Sequence, residues 1–340
     1  MSRALDKHVK EALKNGNHQA VFDKIGSVLA YPPAKLLEIE LLGQSHIFDP
    51  GTTILQDGNA VAIPKLRLVQ GFIVARKILR AYIQGKHDGS IETVLRATAV
   101  ILLMDPEYLT AANIRKRLLQ MRIHDKDDVI THIKNEKYFV DTLLTSRLHR
   151  HTKSPTLWSH RRWLMEQFQT QGVDVTVEDD IKRVVTVSGE RHPRNYYAWC
   201  HARYLISTLS AESTGHAETM LTVITVVKKW SFAHHDDISG WQFLMFLLER
   251  HQTETQPTFR ETLQLAKSFR WRNESVWYFL RYTVAASKHL TDHDREEFTR
   301  VRMTLWETAA EDSQERRTLE VAGQWLPQSS NLDIGMEAAG

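Results

Sequence analysis

Tryptophan recurs along this chain at the spacing of a helix pair. Trp158, Trp199, Trp241 and Trp277 lie 41, 42 and 36 residues apart, in KSPTLWSHRRWLM, HPRNYYAWCHARYLI, DDISGWQFLMFLL and NESVWYFLRYTVA. A weaker copy, DPEYLTAANIRKRLL, comes first and has Ala112 in the place of the Trp, 46 residues before Trp158. Self-similarity at this period is the mark of stacked helical hairpins, where each unit hides its apolar face only against its neighbours. The expected fold is therefore all-α, with five hairpins in series.

Numbering each copy so that the Trp falls at offset 6 brings out its parts. Offset 2 reads Ser154, Asn195, Asp237 and Asn273, residues whose side-chain oxygens accept the unpaired N–H groups of a first helical turn. The first copy has Tyr108 there, and Thr110 is its better cap. Offset 13 is apolar throughout: Leu119, Met165, Ile206, Leu248 and Val284. Offsets 6, 10 and 13 share one helix face. Offset 10 carries Lys116, Arg162, Arg203 and Arg281. A charge on a buried face is costly unless paired, so these cations should meet carbonyl ends or carboxylates of the neighbouring hairpin. The repeat core is thus assigned to Trp158, Arg162, Trp199, Arg203, Trp241, Trp277 and Arg281. The fourth copy, with Leu244 and Met245, should dock by apolar packing alone.

Around the array, 2–15 and 18–30 read as short amphipathic helices, the second ended by Pro32-Pro33. The stretch 36–63 mixes LLEIELLG with turn residues and suits a short strand or an extended arm. KLRLVQGFIVARKILRAYI after Pro64 is helical. The hairpins pair 91–104 with 107–121, 127–150 with 155–171, 176–189 with 194–210, 214–230 with 237–252, and 256–270 with 274–290. One capping helix is expected over 292–320. This divides the chain into N-terminal helices and arm (1–89), a helical-repeat superhelix with its cap (90–322) and a disordered tail (323–340).

Several functions are disfavoured by what is missing. A net charge of +3, with Lys and Arg dispersed among acids, gives no stripe for nucleic acid. The single cysteine, Cys200, excludes an internal disulfide and reads as a packing residue. No apolar run approaches the ~20 residues that span a bilayer, so no membrane insertion is expected. No apolar signal core and no C-terminal prenylation cysteine are seen, and the reading is cytoplasmic. The histidines lack metal-pair spacing, and there is no HExxH, phosphate-cradling glycine loop or nucleophile elbow. No metal site and no complete active site are expected in this chain.

The run Pro193-Arg194-Asn195-Tyr196-Tyr197-Ala198-Trp199 with Arg203 resembles the P-x-N-Y-x-x-W-x-x-x-R repeat of protein prenyltransferase α subunits. NESVWYFLR in the fifth copy and HRRW at 160–163 are similar to other repeats of that family, and the likeness covers about 90–290. It implies a right-handed α-α superhelix of five hairpins that wraps a β subunit. That partner, an α-α barrel, would hold zinc and the isoprenoid diphosphate. The family chemistry joins a zinc-bound cysteine thiolate to C1 of the isoprenoid, and cations neutralise the departing diphosphate. The α subunit lends a lysine at offset 1 of the second repeat, which falls on Lys153. The plain alternative for Lys153 is a solvated loop lysine. Asn195, Tyr196 and Tyr197 occupy the family's Asn-Tyr-His positions and would contact substrate or the β subunit. Tyr197 in place of His, Thr152 in place of Pro, and Ser154-Pro155 in place of Asn-Tyr are departures. Within the family the first copy and the long N-terminal segment are most similar to the α subunit of a third type of geranylgeranyltransferase. The implied partners are then the Rab geranylgeranyltransferase β subunit, carrying zinc and geranylgeranyl diphosphate, and protein substrates with C-terminal cysteines. The rival reading is a stand-alone helical-repeat adaptor, for which the weakened first and fourth copies speak if their altered positions face outward.

Overall fold

Cap residues set where the helices begin. In the computed structural model of the chain, Ser154 Oγ accepts from the Leu157 N–H, Asn195 Oδ1 from Ala198 and Asp237 Oδ1 from Ser239. Asn273 also stands at an N-cap in extended conformation, but its side chain is used elsewhere. The structure describes residues 11–325, except 12, 31–34, 44–45, 47–48, 50, 88, 125–127, 174 and 210–214. Most of the expected helix over 2–15, the Pro32-Pro33 stop and nearly all of the expected tail lie outside the described residues.

The chain forms two compact units, Met1–Ile206 and Ser207–Gly340. In the first, α1 (His18–Ala30) leads into β1 (Glu38–Leu42), β2 (Leu55–Asp57) and β3 (Ala60–Pro64), followed by α2 (Lys65–Ile83). Then come α3 (Ile91–Met104), α4 (Leu109–His124), α5 (Val129–Thr145) and α6 (Pro155–Thr170). α7 is composite: Val177–Asp180 and Thr186–Arg191 are joined by a π turn at Ile181–Val185. α8 (Tyr196–Thr208) closes the unit. The second unit holds α9 (His216–Ala233), α10 (Ile238–Arg250), α11 (Thr255–Ser268), α12 (Glu274–Ala286), α13 (Asp292–Glu307) and α14 (Gln314–Gly323). The described chain is thus all-α in its repeats, with helix pairs close to those read from the sequence.

The arm over 36–63 is a small sheet. β3 lies between β1, parallel to it, and β2, antiparallel to it. Ile39 and Val61 are buried between more exposed neighbours, and Ile63 is buried on the same face as Val61, so one face seals the unit. Gly58, at φ 58°, supplies the left-handed turn between β2 and β3. The Ile39 N–H donates to Ser146 Oγ at 3.1 Å, pinning the sheet to the end of α5.

Several expectations fail. α4 begins at Leu109, so Thr110 lies inside the helix and Tyr108, whose carbonyl accepts from Ala111 and Ala112, stands at its cap. The capping helix over 292–320 is broken, because Asp312 adopts φ 61° and Ser313 Oγ caps a new helix by accepting from Arg316. Arg162 is not a core residue. Its side chain is 59% exposed and, among the described residues, meets Glu166 of its own helix at 3.5 Å and the Tyr204 ring. The buried guanidinium belongs to its neighbour Arg161, 0% exposed. Offset 9, three residues past the Trp, points further into the stack than offset 10. Arg203 is half-buried, and Arg281 is buried and paired with Glu274 of its own helix at 2.5 Å.

Candidate functional site

The four tryptophans Trp158, Trp199, Trp241 and Trp277 are buried, and three of them show how a repeat is tied. Trp158 Nε1 donates to the Thr152 carbonyl at 2.9 Å, Trp241 to His235 at 3.0 Å and Trp277 to Trp271 at 2.8 Å. The acceptor is always six residues upstream, so each indole fastens its helix to the loop that launches it. The same carbonyls receive the next copy. Asn195 Nδ2 donates to Thr152 at 2.7 Å, and Asn273 Nδ2 donates to His235 at 2.7 Å. In the first repeat, Ser154 Oγ donates to the Pro106 carbonyl at 3.3 Å. One loop carbonyl therefore links consecutive repeats.

Beneath these loops the first unit carries buried ions. Arg115 forks onto Glu136 at 2.8 and 2.7 Å, and His160 Nε2 lies 3.3 Å from the same carboxylate. Arg161 donates to Asp141 at 2.7 Å and reaches Asp180 at 2.9 Å. Lys137 contacts the same two carboxylates, at 2.7 and 2.8 Å. Burial alone would raise the Asp141 and Glu136 pKa values, but the adjacent cations outweigh it and hold both below the usual carboxylate range. Arg161 Nη1 also donates to His201 Nε2 at 2.5 Å. A guanidinium only donates, so that imidazole must accept and be neutral. Burial, then the Arg161 charge, lowers the His201 pKa accordingly. Burial likewise lowers His160 and His151 to about 4. His151 Nε2 donates to the carbonyls of Leu102 and Leu103, both at 3.0 Å, and so clamps the α5–α6 loop onto the end of α3.

On this frame stand the residues singled out by the sequence. Lys153 is exposed, one residue before the N-cap of α6. Tyr196 and Tyr197 open α8, 69% and 38% exposed, with their rings edge to face at 5.6 Å. The Asn195–Thr152 hydrogen bond sets these two starts together, because Lys153 and Tyr196 each follow a bonded residue. His149 and His192, from the same two loops, have ring centroids 4.2 Å apart. Asn195 itself is only 1% exposed and spends its side chain on Thr152, Ser188 and the cap of α8, leaving no surface for a substrate or partner. Among the described residues no group of three His, Cys, Asp or Glu side chains is placed to hold a metal ion, and no helix is long and apolar enough to cross a membrane. The altered positions of the weak copies face inward: Ala112 is 1%, Leu244 0% and Met245 8% exposed.

The buried ion network was not read from the sequence, although its signal is there. Asp141 interrupts the apolar run YFVDTLL, where an acid needs a buried partner.

Comparison with known proteins finds the same kind of repeat in this chain. Residues 139–168, which hold the end of α5 and nearly all of α6, match the protein prenyltransferase alpha subunit repeat, and residues 157–269 match the ECM9 middle domain. The chain is 28% identical over 181 residues to protein prenyltransferase alpha subunit repeat-containing protein 1 of Homo sapiens, covering 48% of this chain and 42% of that protein. It is 25% identical over 197 residues to the protein of the same name in Danio rerio, covering 53% and 43%. It is 26% identical over 182 residues to protein ECM9 of Saccharomyces cerevisiae, covering 53% and 46%. The chain thus spans less than half the length of these curated relatives.

Proposed function

We propose that this chain, which carries prenyltransferase α-subunit repeats, is the α subunit of a heterodimeric protein prenyltransferase. The supporting observation is the hydrogen bond from Asn195 to the Thr152 carbonyl, which brings exposed Lys153 and the Tyr196–Tyr197 pair to the same edge of two consecutive repeats. Lys153 precedes the N-terminus of α6, where the helix dipole adds positive potential. Such a position suits stabilisation of a departing diphosphate, whose charge grows as the bond to the isoprenoid breaks. The two tyrosines offer amphipathic surface for the partner and would keep water from that edge. Zinc and geranylgeranyl diphosphate belong, on this reading, to the β subunit, where the metal would hold the substrate cysteine as a thiolate at neutral pH. The likeness to a third-type geranylgeranyltransferase α subunit favours the Rab geranylgeranyltransferase β subunit as partner, proteins with C-terminal cysteines as substrates and the cytoplasm as the place of work.

The adaptor reading loses its main support, since the altered positions in the first and fourth copies lie inside the stack. Co-expression of the chain with candidate β subunits, followed by size-exclusion chromatography, separates the two. The proposal expects a stable complex with equal amounts of both chains. Failure of every prenyltransferase β subunit to bind sinks it.

A further inference from the structure

The outer face of α2 lies outside the site just described. From Lys65 to His87 the sequence has six Lys or Arg residues and no Asp or Glu. α2 buries Leu68, Gly71, Ala75 and Leu79, and packs on α1 and α3. Arg76, Lys77 and Arg80 point away, exposed, and among the described residues no ion pair engages any of the three. A groove of about 710 Å³ runs beside them, lined by apolar Ile73 and Ile83 and by Tyr108 from the segment before α4. Ile83 is 58% exposed at its end.

Two features narrow the occupant. The apolar floor has no counterpart in a phosphate backbone, and a flat bilayer cannot follow a concavity. An amphipathic helix can meet both, with an apolar stripe for the floor and charges for the rim. Like-signed charge on the rim demands the opposite sign on the partner.

We propose that this face is a docking groove for an acidic amphipathic helix of another protein. The helix seats its apolar stripe against Ile73, Ile83 and Tyr108 and pairs its carboxylates with Arg76, Lys77 and Arg80.

The test uses the full chain and a synthetic, labelled helix of about five turns with leucines at i, i+3, i+4 and i+7 and glutamates elsewhere. Fluorescence anisotropy is read at low and high salt. A scrambled peptide of equal composition, anionic phosphatidylserine vesicles and single-stranded RNA are the competing ligands. The triple variant Arg76→Glu/Lys77→Glu/Arg80→Glu, checked for native circular dichroism, should weaken binding at least tenfold. It should also gain affinity for the same helix carrying lysines in place of glutamates, a gain that misfolding would not produce. Ile83→Ser should weaken binding with little change in its salt dependence. The proposal is overturned if the scrambled peptide binds as well, if the charge-reversed pair does not recover binding, or if only vesicles or RNA bind through these residues.

Discussion

The two units join their repeats by different chemistry. In the first, helices are stitched by Arg115 with Glu136, and by Arg161 and Lys137 with Asp141 and Asp180. In the second, aromatic rings dominate, with Trp241 on Phe279 at 5.1 Å, Trp277 on Phe298 at 5.6 Å and Phe259 on Phe298 at 6.3 Å between ring centroids, beside a buried carboxylate, Asp294 of α13, held by Arg260 of α11 at 2.6 Å. The change follows the sequence at offset 9, where Arg115 and Arg161 of the first unit give way to Leu244 and Leu280 in the second, the first unit's last copy already having Ala202 there. One repeat frame therefore accepts two kinds of filling, provided that the loop carbonyls stay bonded. Rings tolerate small shifts, whereas fixed charges with fixed hydrogen bonds do not, so the first unit should hold its loops in a stricter register. That unit also bears Lys153.

The largest expected contrast comes from removing one partner in each unit. Arg161→Met leaves Asp141 and Asp180 buried with Lys137 alone and should cost roughly 3–5 kcal/mol, as breaking a buried pair does. Adding Asp141→Leu, Asp180→Leu and Lys137→Met to it should restore most of that loss, because an apolar filling of similar volume can replace a whole buried ion cluster. Trp241→Ala in the second unit should cost about 3–5 kcal/mol through its cavity, with no charge removal able to rescue it. Denaturant titration of the four proteins reads this, and a combined variant no better than Arg161→Met would break the comparison.

Acid should also separate the units. His151 and His160 are neutral when folded, with pKa values lowered to about 4, against 6.5 when free. The unfolded chain then binds more protons than the folded one below about pH 6.5, so stability falls as pH drops from there toward 4. At pH 5 each contributes a loss of about 2 kcal/mol relative to pH 8. Below that, Glu136 and Asp141, held below their ordinary range when folded, lose their contribution in the same direction. Hydrogen exchange by mass spectrometry, corrected for intrinsic rates, should show α5 and α6 losing protection at pH 5 while α10 and α12 keep theirs. Equal loss in both units would contradict the contrast.

Smaller effects attend the shared loop bonds. Asn195→Ala should cost about 1–2 kcal/mol, since it removes both a cap and the bond to Thr152. Asn273→Ala should cost about 1 kcal/mol, because His235 keeps the Trp241 indole. Thermal melts of the two variants rank them.

The frame was readable in the sequence because its signals are local. Trp158, Trp199, Trp241 and Trp277 mark the period, and Ser154, Asn195 and Asp237 mark helix starts within the same dozen residues. What escaped depends on distance along the chain. Arg161 finds Asp141 and Asp180 on two other helices, 20 and 19 residues away, and nothing in HRRW says which arginine faces inward. The parallel pairing of β1 with β3 is a tertiary choice between short segments. The break before α14 is locally written, in Asp312-Ser313, within a charged pattern that continues on both sides of it. Of the site, Lys153 rests on resemblance alone, while the role of Asn195 became plain only through its partner across the repeat.

The most direct measurement is transfer of labelled geranylgeranyl to a protein with C-terminal cysteines by the chain co-expressed with the Rab geranylgeranyltransferase β subunit, with and without Lys153→Ala. The account predicts activity for the native pair and a loss of at least tenfold in kcat for the variant. That variant should keep its stability within about 0.5 kcal/mol, as an exposed surface change does, and its complex with the β subunit. A stable complex that transfers nothing, or one that transfers equally well without the lysine, would contradict it.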